Sequence, residues 1–180
     1  VYVSAVDAPL LHPAFVRHVL RSLCAGDDVA LPRLDGFVQP LASAYRTTIV
    51  PHLHAQLRRD RCDTRSLFAL PGVRVRELGE HALRADPVLA ALDPDLHSLR
   101  NVNAPDEYEA WRARPAPPVT VRLGAASRPR QVAAATLAQA AAAAGVAPTA
   151  NIRATLADGR AIRDPLEPLV AGDVLTFWPV

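Results

Sequence analysis

Two periods of hydrophobic spacing alternate along this chain, and each change of period marks an element. Val1, Tyr2, Val3, Ala5 and Val6 form a short, nearly continuous apolar run, the pattern of a strand covered on both faces. Asp7, Ala8 and Pro9 close it, because proline cannot donate to a sheet ladder and pushes the residue before it away from helix. The run predicts a central parallel strand with Asp7 at its carboxyl end. Phe15, Val16, Val19, Leu20 and Leu23 then recur at helical spacing over 12–23, with Gly26 as the stop. Residues 28–32 (DVALP) predict a second short strand, and Asp35-Gly36 a turn. A helix is predicted from Ala42 to Arg59, kinked or split by Pro51. Asp63 or Thr64 caps a short helix through Leu70, ended by Pro71-Gly72.

Strict alternation over 73–78 (VRVREL) predicts a strand with one solvated face, and 81–92 is weakly helical, interrupted at Asp86-Pro87. Strand and helix thus alternate repeatedly, the pattern of an α/β layer fold with a mostly parallel sheet. In 99–111 (LRNVNAPDEYEAW), Pro105 suits the first position of a helix whose positive end Asp106 and Glu107 favour. ARPAPP (113–118) is a stiff, Pro-rich linker and marks a domain boundary. The remainder predicts a strand at VTVRL (119–123) and an Ala-rich helix over Gln131–Ala144 stopped by Gly145. A hairpin over 152–162 turns on Asp158-Gly159, and a last strand covers 175–178. Strand, helix, hairpin and strand form one small sheet on one helix, and the Ala face requires the two to approach closely.

Composition narrows the function classes. Of the 180 residues, 50% are hydrophobic, which supports one large or two small domains. No apolar run is long enough to span a bilayer, and nothing resembles a signal peptide, so a soluble, cytoplasmic protein is expected. Net charge is +2, every basic residue is Arg, and the Arg are scattered, which gives no nucleic-acid footprint. Cys24 and Cys62 are too isolated for a disulfide framework or a zinc knuckle. The chain has no Met and opens inside a strand, which reads as a fragment whose front has been lost, or as initiation at a Val codon.

Candidate chemistry sits at three places. Asp7 stands at the sheet edge where open α/β folds bind ligands. It is either the acceptor of an Asx turn or a metal carboxylate, since Mg²⁺ is held by one or two carboxylates plus substrate phosphates. Asn101 and Asn103 lie on the loop entering the Pro105 helix, either as caps or as amides presented to a phosphate. His52 and His54 are two apart and face different sides of a helix, so they cannot ligate one metal there.

Residues 1–112 resemble the carboxyl-terminal half of the molybdenum cofactor guanylyltransferases and related nucleotidyltransferases, through VDAPLL (6–11), DGFVQPLASAYR (35–46) and NVNAPDEYEAW (101–111). The resemblance implies a partial doubly wound, Rossmann-like α/β fold. It also implies transfer of GMP from GTP to molybdopterin with Mg²⁺ and release of pyrophosphate. Asp7 would be the catalytic metal carboxylate, Asn101 and Asn103 would contact ligand phosphates or the metal's surroundings, and Pro40, Leu41, Tyr45 and Arg46 would form the pterin-side wall. The family's opening Gly-rich loop, which cradles the triphosphate, is absent, which implies impaired nucleotide binding. Ala104 stands where Thr is usual before the Pro, losing a cap worth about 1 kcal/mol. Residues 119–180 resemble the ubiquitin-like β-grasp sulfur carriers of the molybdopterin and thiamine pathways, especially in VAGDVLTFWPV (170–180). Those carriers end in Gly-Gly and this chain stops at Val180, so no sulfur transfer is expected. The alternatives are a non-catalytic scaffold contacting another molybdenum cofactor biosynthesis protein through 119–180, or a relative using CTP or a sugar phosphate.

Overall fold

In the computed structural model, which describes residues 1–147 and 153–178, two compact units divide the chain, Val1–Tyr108 and Glu109–Val180. The opening apolar run contracts to a three-residue strand, β1 (Tyr2–Ser4). There follow α1 (Pro13–Arg21), β2 (Val29–Leu34), β3 (Phe37–Val38), β4 (Ala42–Tyr45), α2 (Val50–Leu57), α3 (Thr64–Phe68), β5 (Val75–Leu78), α4 (Glu80–Ala85) and α5 (Pro87–Leu92). One-turn 3-10 segments occupy Thr47–Ile49 and His97–Leu99, and α6 (Pro105–Arg112) begins in the first unit. Among the described residues no helix is long and apolar enough to cross a membrane.

The strand expected at the centre is at an edge. β1 pairs antiparallel with β4 alone, Tyr2 opposite Ala44, and Val6 projects fully into solvent. The centre belongs to β2, which pairs antiparallel with β4, parallel with β5 and, through the Asp35-Gly36 turn, antiparallel with β3. Both turn residues have positive φ, 51° and 82°, as a two-residue hairpin turn requires. Val29 to Pro32 of β2 are buried, which is why they read as an unbroken apolar run. Ala30 and Leu34 pack with Phe15 and Val19 of α1, Leu83 of α4 and Leu89 of α5; Val29 and Leu31 pack with Ile49 and Leu67 on the other side. The result is a mixed sheet between two helical layers.

The helix predicted from Ala42 starts eight residues later. Ala42, Ser43 and Ala44 are buried in β4, where small side chains fit between α1 and the layer opposite and carry no period of their own. Pro51 then lies in the first turn of α2, a position without a backbone hydrogen bond to lose, so it starts the helix instead of kinking it. Asp63 caps α3, accepting from the N–H groups of Arg65 and Ser66, and Asp86 both ends α4 and caps α5.

The second unit contains β6 (Pro118–Leu123), β7 (Arg130–Ala133), α7 (Leu137–Ala144), β8 (Ala154–Leu156), β9 (Ala161–Ile162) and β10 (Val174–Phe177). Its sheet has the order β7-β6-β10-β8-β9, with β6 and β10 parallel and every other pair antiparallel. The first residues of the helix predicted from Gln131 are strand instead, because Gln131 to Ala133 complete the pairing with β6. Thr136 caps α7, Gln139 reaches back to the Ala135 N–H, and Gly145 at φ 79° closes it. Ala140 and Ala141 are fully buried with Val119, Val121, Leu137, Leu175 and Phe177, the close helix–sheet approach that an Ala face requires. Ile152 of the predicted hairpin, and Pro179 and Val180 of the final motif, lie outside the described residues.

Candidate functional site

Three separated segments meet at the end of β1. The Ala5 N–H donates to the Leu41 carbonyl at 2.8 Å, and the Val102 N–H donates to the Asp7 carbonyl at 2.8 Å. The second bond sets Asp7 against the residue between Asn101 and Asn103. The 93–103 loop is fixed from behind. The buried Asp93 carboxylate accepts from the His97 and Ser98 N–H groups at 2.7 and 3.1 Å, and Ser98 Oγ accepts from the His12 N–H at 3.0 Å. Ser98 is buried and ties the start of α1 to the same place.

The side chains there are largely unspent. Asp63, Asp86, Asp158 and Asp164 each accept from the backbone N–H two residues on, as turn aspartates do. Asp7, half-buried in a turn, makes no such bond; among the described residues only its main chain is engaged. The capping role open to the asparagines is likewise unfilled. Glu107 Oε2 accepts from the Asn103 N–H at 2.8 Å, so a carboxylate from within α6 serves its start and both Asn amides stay free among the described residues.

Between these segments lies a cavity of about 20 Å³ lined by Tyr2, Ser4, Ala5, Leu41, Ser98 and Asn101 among others. That is room for one water and for no larger ligand. Tyr2 contributes a buried hydroxyl with no partner among the described residues, and burial pushes its pKa up to about 12. Tyr2 and Ser98 carry no signal as site residues in the sequence, since one reads as strand filler and the other as a loop serine.

The Tyr45 hydroxyl and most of the Arg46 guanidinium are engaged within the protein. The Tyr45 hydroxyl donates to the Pro40 carbonyl at 2.7 Å and so braces the Pro40-Leu41 turn from behind; burial raises its pKa. Arg46 donates from Nε to the Asp27 carbonyl and from Nη2 to those of Leu23 and Cys24, at 2.8, 3.2 and 3.0 Å. Its guanidinium is a clamp on the loop that leaves α1. Leu41 is 53% exposed beside the cavity, and Pro40 is half-buried. The surface at Pro40 and Leu41 is therefore backbone and apolar.

A carboxylate and two amides can place a hard oxygen on a cation and hydrogen-bond donors on phosphate oxygens. Among the described residues no group of three or more His, Cys, Asp or Glu comes together, so this is not an all-protein metal cage.

No family model matches the chain. It is 28% identical over 112 residues to the molybdenum cofactor guanylyltransferase of Desulfosudis oleivorans, covering 62% of this chain and 52% of that protein. It is 32% identical over 84 residues to a probable molybdenum cofactor guanylyltransferase of Bacillus licheniformis, covering 47% and 42%. The chain thus spans about half the length of the curated relatives it matches. Among solved structures it is similar to molybdopterin-guanine dinucleotide biosynthesis protein A of Archaeoglobus fulgidus, with a TM-score of 0.51 and 23% identity over 61% of this chain and 52% of that one. That likeness concerns the fold, which is mixed α/β and Rossmann-like.

Proposed function

We propose that this chain is a molybdenum cofactor guanylyltransferase-like nucleotidyltransferase unit, acting at the end of β1. The observation that carries the reading is Asp7. Its carboxylate is unspent while its carbonyl is bonded to Val102, between two asparagines whose amides are also unspent. Similarity over 112 residues to a guanylyltransferase supports the same assignment.

In the proposed reaction an oxygen of the molybdopterin phosphate attacks the α-phosphorus of GTP. The new P–O bond forms as the α–β bond breaks, and pyrophosphate leaves. Such a transfer needs positioning and charge neutralisation more than a protein nucleophile. One carboxylate with free oxygens fits Mg²⁺, which usually keeps waters and substrate phosphates as its other ligands. When bound, the ion would neutralise and align the phosphates. Asp7 would hold it, and Asn101 and Asn103 would donate to phosphate oxygens. Pro40 and Leu41 would give the pterin an apolar wall that Tyr45 braces. Residues 119–180 are proposed as a β-grasp module; the order β7-β6-β10-β8-β9 with a parallel central pair and one helix supports this.

Calorimetry of the chain with GTP and Mg²⁺ tests the reading. Saturable, metal-dependent binding that Asp7→Asn abolishes is expected, with CTP as the competitor that fixes base choice. No heat at millimolar nucleotide would leave the second reading, a scaffold that meets another molybdenum cofactor biosynthesis protein through 119–180.

A further inference from the structure

We propose that the first unit carries a second ligand site, for a tetrahedral oxodianion such as a phosphate group, in the cleft between α1 and the start of α5. Ala14, Arg17, His18 and Arg21 recur at helical spacing on one side of α1, and with Ser22, Asp86 and Val88 they line a cleft of about 240 Å³. His18 Nδ1 lies 3.1 Å from Asp86 Oδ2. Asp86 is itself held by the N–H groups of Val88 and Leu89, at 3.0 and 2.9 Å, so the imidazole is fixed and its Nε2 is left for a ligand.

Arg17 and Arg21 stand one helical turn apart and repel each other. Unlike Arg33, Arg46, Arg76 and Arg84, neither has an ion pair or hydrogen bond among the described residues. Two guanidiniums and the His18 imidazole face one carboxylate, a surplus of positive charge and donors that suits an oxyanion. The small Ala14 and the half-exposed Val88 leave an apolar floor for an organic substituent.

This place is separate from the end of β1. His12, which caps α1, touches Ser98 there, whereas Arg17 and Arg21 lie roughly 8 to 14 Å further along the helix axis. The inference does not rest on the nucleotide reading.

Sulfate is the probe of choice because it is a tetrahedral dianion at neutral pH. The charged groups lining the cleft beside His18 are Arg17, Arg21 and Asp86. Titration of the full chain with sulfate, followed by calorimetry and by the His18 ring resonances, is expected to saturate and to move His18. Arg17→Gln and Arg21→Gln, both at exposed positions, should each weaken sulfate binding about tenfold, and Asp7→Asn should leave it unchanged. Glycerol phosphate binding more tightly than inorganic phosphate would identify the source as a phosphorylated metabolite, and equal or weaker binding would identify the free anion. Unmoved His18 resonances, or sulfate affinity that survives the double Arg17→Gln/Arg21→Gln change, would overturn the site.

Discussion

The structural weight of an aspartate depends on where its oxygens go, and Asp7 and Asp28 spend theirs differently. Asp28 is buried, accepts from the Arg74 N–H at 2.9 Å and the Thr48 hydroxyl at 2.8 Å, and has Arg74 Nε at 3.5 Å. The Arg74 N–H above all, then Thr48, holds its carboxyl below the usual carboxylate range. The sign follows: a depressed folded-state pKa gives stability that is present above the unfolded carboxylate pKa and is lost as pH falls through the folded value. Denaturant titrations stepped down through the acid range should show that loss. Asp28→Ala should cost about 1–3 kcal/mol near neutral pH and flatten the acid slope; an unchanged slope would mean that other carboxylates carry it. Asp7→Asn removes no hydrogen bond, so stability should stay within about 0.5 kcal/mol while metal-dependent nucleotide binding is lost. Arg46→Ala should do the reverse, costing about 2 kcal/mol and leaving nucleotide affinity intact. The positions of Asp7 after a strand and of Asn101 and Asn103 before a helix were legible, because Pro9 and Pro105 punctuate the chain there. Arg46 was not, because the carbonyls that occupy it lie about twenty residues upstream.

At the scale of elements, two Ala-containing stretches were misread for one reason. Alanine has no preferred face, so in Ala42–Tyr45 and Gln131–Ala133 the pairing partner, β1 with β2 or β6, decides the conformation. Elements with their own punctuation were readable. Pro105 starts α6, Asp63 caps α3, Asp86 separates α4 from α5, and Asp158-Gly159 turns β8 into β9. The place of β1 in the sheet was beyond local pattern, because an apolar run of that length fits an edge or a centre equally. The Ala face of α7 makes a clean test of packing against propensity. Ala140 is fully buried and Ala142 is exposed. Ala140→Val should overpack the helix–sheet contact and cost about 1–3 kcal/mol, whereas Ala142→Val should cost under about 1 kcal/mol, its propensity alone. Equal losses in thermal melts would mean that the helix does not press on the sheet.

At the scale of the whole molecule, each core draws on one unit alone. Phe15, Val19, Leu83 and Leu89 close the larger one, and Leu137, Leu175 and Phe177 the smaller. Each unit is a compact body with its own buried residues, so calorimetric unfolding is expected to resolve two transitions. Phe15→Ala, at a fully buried site, removes about 3–5 kcal/mol from the first unit, and Leu175→Ala about 2–5 kcal/mol from the second. Each should lower one transition and leave the other in place. The unit of about seventy residues, whose helix contributes mostly methyl groups, has less apolar surface to bury per residue and should be the one that melts first. A single transition moved equally by both substitutions would mean that the chain folds as one cooperative body. The end of β1 would then depend on the core of the second unit as much as on its own.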